Sequence, residues 1–109
     1  MSKYNTDVPA IFFDRENNKR IVKYFKGYQS QFHSKLYVIR DEFNSFYEII
    51  DINTGLSLLV RKTIKELRRD FIDYNLLEKY KSFIKTDVYK RQVKKLKELL
   101  ILKYDSEGE

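Results

Sequence analysis

The chain has 109 residues, which is enough for one domain with a modest core and too few for two independent domains. Its 22 Lys and Arg residues outnumber its 16 Asp and Glu residues, and the formal net charge of +6 favours an acidic partner such as nucleic acid or an acidic protein surface. The lack of cysteine excludes disulfide and thiolate chemistry and indicates a reducing cytoplasm. No apolar run approaches the roughly 20 residues of a membrane span, so we expect no membrane contact.

Short apolar and aromatic segments separated by polar turns predict a series of strands in the first 60 residues. The segment 20–28 fits both a helical and a strand period, but Gly27 and the β-branched and aromatic residues favour a strand. The compact turn Asn53-Thr54-Gly55 indicates a hairpin, because glycine supplies the positive φ that such a turn needs. The predicted strands cover residues 9–13, 20–28, 35–40, 46–52 and 56–60.

Helical periodicity replaces the strand pattern after residue 62. Thr63 and Glu66 have the spacing of a capping box, which predicts a helix over 63–74. Apolar residues at helical spacing predict two more helices, over 76–85 and 88–104, whose apolar stripes point in nearly opposite directions. The sequence therefore predicts an α+β fold, with an antiparallel meander of four to five strands packed by a helix and followed by two C-terminal helices.

The hexapeptide Asp-Val-Tyr-Lys-Arg-Gln at 87–92 begins where the apolar stripe changes direction. It is also the translation of GATGTGTATAAGAGACAG, a transposon end used in preparing sequencing libraries. Two origins are therefore open for the C-terminal segment: an evolved helix, or an extension joined at an adapter. We divide the chain into a single α+β domain at 1–86 and a basic amphipathic helix with an acidic tail at 87–109.

Residue combinations typical of enzymes are sparse. His33 is the only histidine, and its polar surroundings predict a solvated loop residue. Acidic residues near the third and fourth predicted strands lack the further acidic residue that a two-metal nuclease site would require. They are Asp41, Glu42, Glu48 and Asp51. Because three dispersed glycines cannot form a phosphate-binding loop, we predict a non-enzymatic protein with no catalytic residues, metal or cofactor.

Basic and aromatic residues alternate between Asn17 and Arg40, where the chain contains no acidic residue. In a strand at 20–28, every second side chain shares a face, and that face would carry both cations for phosphates and rings for stacking on bases. The candidate binding residues in this region are Arg20, Tyr24, Lys26, Tyr28, Lys35 and Tyr37. The alternative is that Tyr24 and Tyr28 belong to the core and the lysines form an ordinary solvated edge.

The first predicted helix segregates its charges. Its basic side is formed by Arg61, Lys65, Arg68 and Arg69, and its acidic side by Glu66, Asp70 and Asp73. Segregated charge could orient the helix on a partner, and we include the four basic residues among the candidate binding residues. Ordinary surface charge, supported by pairs four residues apart, is an equally good interpretation.

These features give two hypotheses for function. In size and character the chain is similar to anti-CRISPR and other counter-defence proteins, and its composition is typical of an AT-rich bacterial or phage genome. The first hypothesis is a protein from a phage or mobile element, recovered from metagenomic DNA, that inhibits a bacterial nuclease or nucleoprotein complex in the host cytoplasm. The alternative is a protein that binds single-stranded nucleic acid directly.

Overall fold

The computed structural model describes residues 3–41 and 45–107 and confirms the α+β meander. Five antiparallel strands lie in one sheet in the order of the sequence, β1-β2-β3-β4-β5, and three helices follow. The strands are β1 (Thr6–Asp14), β2 (Lys19–Gln29), β3 (Leu36–Asp41), β4 (Phe46–Asp51) and β5 (Ser57–Arg61). The helices are α1 (Ile64–Asp73), α2 (Leu76–Phe83) and α3 (Asp87–Glu107).

The segment with the ambiguous period is a strand because it pairs with β1 along almost its full length. The register runs from Thr6 opposite Gly27 to Asp14 opposite Lys19. The turn between the two strands is stabilised by Asp14, whose carboxylate accepts hydrogen bonds from the Glu16 backbone N–H and the Asn17 side chain. These bonds to Asn17 and Glu16 hold the pKa of Asp14 below its ordinary value.

Both faces of the sheet carry a hydrophobic core. The first core lies between the sheet and the helices, and it consists of Leu36, Val38 and Ile49 with Leu67, Phe71 and Tyr80. The second core lies on the other face and consists of Val8, Ala10, Ile39 and Ile50. The sheet curls around this second core. Its edge strand β1 reaches the turn between β4 and β5, where the Ile11 N–H donates a hydrogen bond to the Gly55 carbonyl at 3.0 Å.

Helix α3 begins at the phase break that the sequence indicates, and α2 ends four residues earlier, at Phe83. The Thr86 hydroxyl accepts a hydrogen bond from the Tyr89 N–H at 3.2 Å, as a helix N-cap does. Tyr89 and Leu96 of α3 are buried, and the Tyr89 ring packs edge-on against Phe83. The hexapeptide therefore lies in a helix whose inner residues pack against the rest of the protein.

Candidate functional site

The strand register places the predicted basic and aromatic residues of β2 on one face of the sheet. Tyr28 lies opposite Val38, a core residue of the helix-covered face. Because side chains alternate along a strand, Arg20, Tyr24 and Lys26 belong to the same face as Tyr28. Tyr24 is 45% exposed, whereas Tyr28 is half-buried and packs against the first core. Tyr28 is thus partly a core residue, whereas Tyr24 is a surface residue.

Cationic and aromatic side chains converge around Tyr28. The Tyr4 ring packs edge-on against the Tyr28 ring with centroids 5.0 Å apart, and the Lys3 ammonium lies 4.6 Å from the Tyr28 centroid. The Arg40 guanidinium lies 5.7 Å from the centroid of the Tyr47 ring. Both distances are within the range of cation–π attraction. We call these five residues, Lys3, Tyr4, Tyr28, Arg40 and Tyr47, the aromatic–cationic surface.

Tyr4 interacts electrostatically with other members of this surface. Burial raises the pKa of Tyr4, and the nearby Tyr28 and Tyr47 rings raise it further, while Arg40 opposes the shift. The hydroxyl therefore stays neutral across the physiological pH range. A neutral phenol adds no negative charge that would repel a phosphate.

The pairing of β3, β4 and β5 explains why Arg40 meets Tyr47. Arg40 lies directly opposite Tyr47, and Tyr47 lies opposite Arg61 on its other side. The three residues form a row across three strands. The Arg40 guanidinium lies over the Tyr47 ring, whereas the Arg61 guanidinium lies over the Tyr74 ring. Among the candidate residues of β5 and α1, the strand pairing therefore places Arg61 next to the aromatic–cationic surface.

Two of the predicted arginines are engaged by one carboxylate. Arg61 Nε donates to Asp70 Oδ2 at 2.6 Å, and Arg69 Nε donates to Asp70 Oδ1 at 3.0 Å. These bonds hold the pKa of Asp70 below its ordinary value and raise the pKa of both arginines. The positive charge of this pair is partly compensated, whereas Lys65 and Arg68 are exposed on α1.

Other predicted binding residues lie away from this surface. Lys26 is exposed and forms an ion pair with Asp7 at 2.6 Å. Arg20 is at the opposite end of β2, where it lines a groove between β1 and α3. Lys35 and Tyr37 alternate with the first-core residue Leu36, and Tyr37 packs against the second core. The structure therefore brings Tyr28 to the aromatic–cationic surface, pairs the backbone of Arg61 with that of Tyr47 at its border, and places these four residues elsewhere.

The residues considered for catalysis do not form a site in the described part of the chain. His33 is half-buried rather than solvated, because its ring packs edge-on against Tyr80 and its Nδ1 accepts from the Lys35 N–H. Asp51 lies on the opposite sheet face from Asp41 and Glu48, and Glu42 lies outside the described residues. Among the side chains that the structure describes, no group of three acidic or histidine residues could hold a metal ion.

The described ranges also contain no helix with both the length and the apolar character needed to cross a membrane.

Sequence reasoning did not select Lys3, Tyr4, Arg40 or Tyr47. Arg40 was recognised as basic, and Lys3-Tyr4 is an adjacent basic and aromatic pair, but neither pattern indicates a shared surface. Two features bring these residues together: the register of β3 with β4, and the path of the chain before β1. Both are tertiary features.

Comparison of the chain with protein-family models, curated proteins and solved structures found no match in any of the three.

Proposed function

We propose that the protein is a small, basic, non-enzymatic module that binds single-stranded nucleic acid through the aromatic–cationic surface. The observation that carries this proposal is the convergence of Lys3 and Arg40 on the rings of Tyr4, Tyr28 and Tyr47. Proteins that bind single strands combine cations for the phosphates with rings on which the bases stack. The net charge of +6 supports an anionic ligand.

A double variant tests this proposal. Replacing Lys3 and Arg40 with Gln removes two cations from the surface and leaves its rings in place. Fluorescence anisotropy with labelled single-stranded and duplex oligonucleotides at low salt should show single-strand binding by the natural chain. The affinity of the variant should fall roughly tenfold or more, because a hydrogen bond to a charged group contributes about 1.5–3 kcal/mol.

The matched control is Lys79→Gln with Lys85→Gln. These residues are exposed in and after α2, and the pair lowers the net charge by the same amount. The control should bind as the natural chain does. The proposal is wrong if no oligonucleotide binds at low salt, or if the two double variants lose affinity equally.

Inhibition of a bacterial nuclease or nucleoprotein complex is the second candidate function, and a different surface favours it. Ile72 and Tyr74 at the end of α1 are 63% and 52% exposed, and the Arg61 guanidinium lies 5.9 Å from the Tyr74 ring centroid. Exposed aromatic residues beside arginine are typical of protein interfaces. Purified protein should then inhibit RNA-guided cleavage by one of a panel of effectors, and Ile72→Asp should abolish the inhibition. Lack of inhibition across the panel would count against this function.

A further inference from the structure

A cavity of about 130 Å³ lies directly beside the aromatic–cationic surface. It is bounded by the end of β2, the loop that follows it and the first turns of α1. Tyr28 belongs to both features, since its ring packs against Tyr4 and also lines the cavity. Arg68, a predicted binding residue, is exposed and lines the same cavity. A strand bound along the surface would therefore pass the mouth of the cavity.

Most of the cavity wall is apolar, and residues 29–31 of the loop after β2 add polar groups. Its walls include Phe32, Val38, Ile64 and Leu67. Phe32 is fixed in position because its ring stacks on Phe71 of α1 with centroids 4.3 Å apart. Burial of a flat aromatic group against such walls is favourable, and it removes apolar surface from water.

The volume of the cavity limits what can enter. A cavity of roughly 150 Å³ in a protein core accommodates a single benzene ring. The cavity beside Tyr28 has nearly this volume, so a group with one six-membered ring fits. A fused two-ring group is larger and requires the walls to move. Among nucleobases, this size favours pyrimidines over purines.

We propose that this cavity is a base-binding subsite, which takes one unstacked pyrimidine of a bound single strand while Arg68 contacts the adjoining phosphate. The proposal rests on the proposed nucleic-acid function and adds the class of base that the site selects. The apolar part of the cavity wall contacts the ring. Arg68 at the rim supplies the charge that a phosphate needs.

The experiment compares the affinity for oligo(dT) and oligo(dA) of about twelve nucleotides, which covers the site size of a small binding module. The natural chain should bind oligo(dT) roughly tenfold more tightly. Ile64→Phe fills the cavity and should bring the ratio close to one. Ile101→Phe makes the same substitution at an exposed position of α3 and should keep the full ratio, so that any contribution from the self-stacking of oligo(dA) is the same in both variants.

A second variant keeps the test decisive if Ile64→Phe does not fold. Arg68→Gln removes an exposed cation that lines the cavity, and circular dichroism should show a folded protein. It should lower the dT-to-dA ratio, because the proposed phosphate contact of Arg68 forms when a pyrimidine occupies the cavity. Equal binding of both oligonucleotides by the natural chain, or a ratio unchanged in Ile64→Phe and Arg68→Gln, would overturn the subsite alone. Failure of the natural chain to bind either oligonucleotide at low salt would overturn the nucleic-acid function as well.

Discussion

Gly27 of β2 lies between Thr6 of β1 and Ile39 of β3 in the sheet. A Cβ atom at this position would lie 2.6 Å from the Val38 carbonyl oxygen, 2.8 Å from Ile39 Cγ2 and 3.0 Å from Val8 Cγ2. Real Cβ atoms do not approach backbone oxygen so closely, and the backbone of a paired strand cannot move aside without breaking its ladder. Space, rather than backbone conformation, therefore requires glycine here.

Gly27→Ala should lower the free energy of unfolding by about 1–3 kcal/mol, the usual cost of inserting atoms into a packed core. Urea denaturation followed by circular dichroism measures the change. Lys19→Ala, at an exposed position of the same strand, should change stability by no more than about 0.5 kcal/mol. Equal stabilities of the two variants would show that the sheet has room at Gly27.

At the scale of elements, the connection between β5 and α1 is stabilised by a local helix cap and by an ion pair between residues further apart in sequence. The Thr63 hydroxyl accepts the Glu66 N–H at 3.1 Å, as the capping pattern predicts. Asp70, two turns into α1, binds Arg61 at the end of β5. This contact ties the helix to the edge strand.

Asp70→Asn should destabilise the protein at neutral pH, with an effect that disappears in acid. The folded protein holds the pKa of Asp70 below the ordinary value of 3.8, so the ionised carboxylate stabilises the fold above that pH. The contribution is lost as the pH falls through the lower, folded-state pKa. Thermal unfolding of both proteins between pH 7 and pH 2 measures this, and a stability difference that does not narrow in acid would contradict it.

Among the side chains of α3 that the structure describes, Tyr89 and Leu96 are buried. Leu96→Ala should therefore lower the free energy of unfolding by about 2–5 kcal/mol, as for other buried leucines. The adjacent Lys97 is exposed, and Lys97→Ala is the matched control. If both variants unfold at the same urea concentration, α3 is peripheral to the fold, and residues 1–86 alone form the stable domain.

At the scale of the whole molecule, the effect of the excess positive charge on ligand binding depends on where the charges lie. Cations paired to carboxylates, such as Lys26 with Asp7 and Arg61 with Asp70, offer less to a phosphate than Lys3 and Arg40, which lie over aromatic rings. The net charge attracts a polyanion from a distance. The local arrangement determines where the polyanion binds.

The salt dependence of binding should separate these two effects. Each phosphate contact to a single strand contributes about 0.7 to the slope of the logarithm of affinity against the logarithm of salt concentration. The Lys3→Gln and Arg40→Gln double variant should therefore reduce the magnitude of this slope by about 1.4, and the Lys79→Gln and Lys85→Gln pair should leave it unchanged. Equal reductions would mean that only overall charge matters.

The sequence by itself determined the class of fold and most of its elements. Residues 20–28 could be assigned to a strand, Thr63 to a helix start and Thr86–Asp87 to a helix break, because periodicity, caps and turns depend on neighbours a few residues away. The strand assignment also placed Arg20, Tyr24, Lys26 and Tyr28 on one face, since that alternation is local.

Only the tertiary structure decided which of these side chains meet. The row of Arg40, Tyr47 and Arg61 depends on the pairing of three strands. The position of Lys3 and Tyr4 beside Tyr28 depends on the path of the chain before β1, and the cavity depends on packing of Phe32 and Ile64 against the sheet. These contacts join residues far apart in sequence, and their geometry follows from the packing of the complete core rather than from any local pattern.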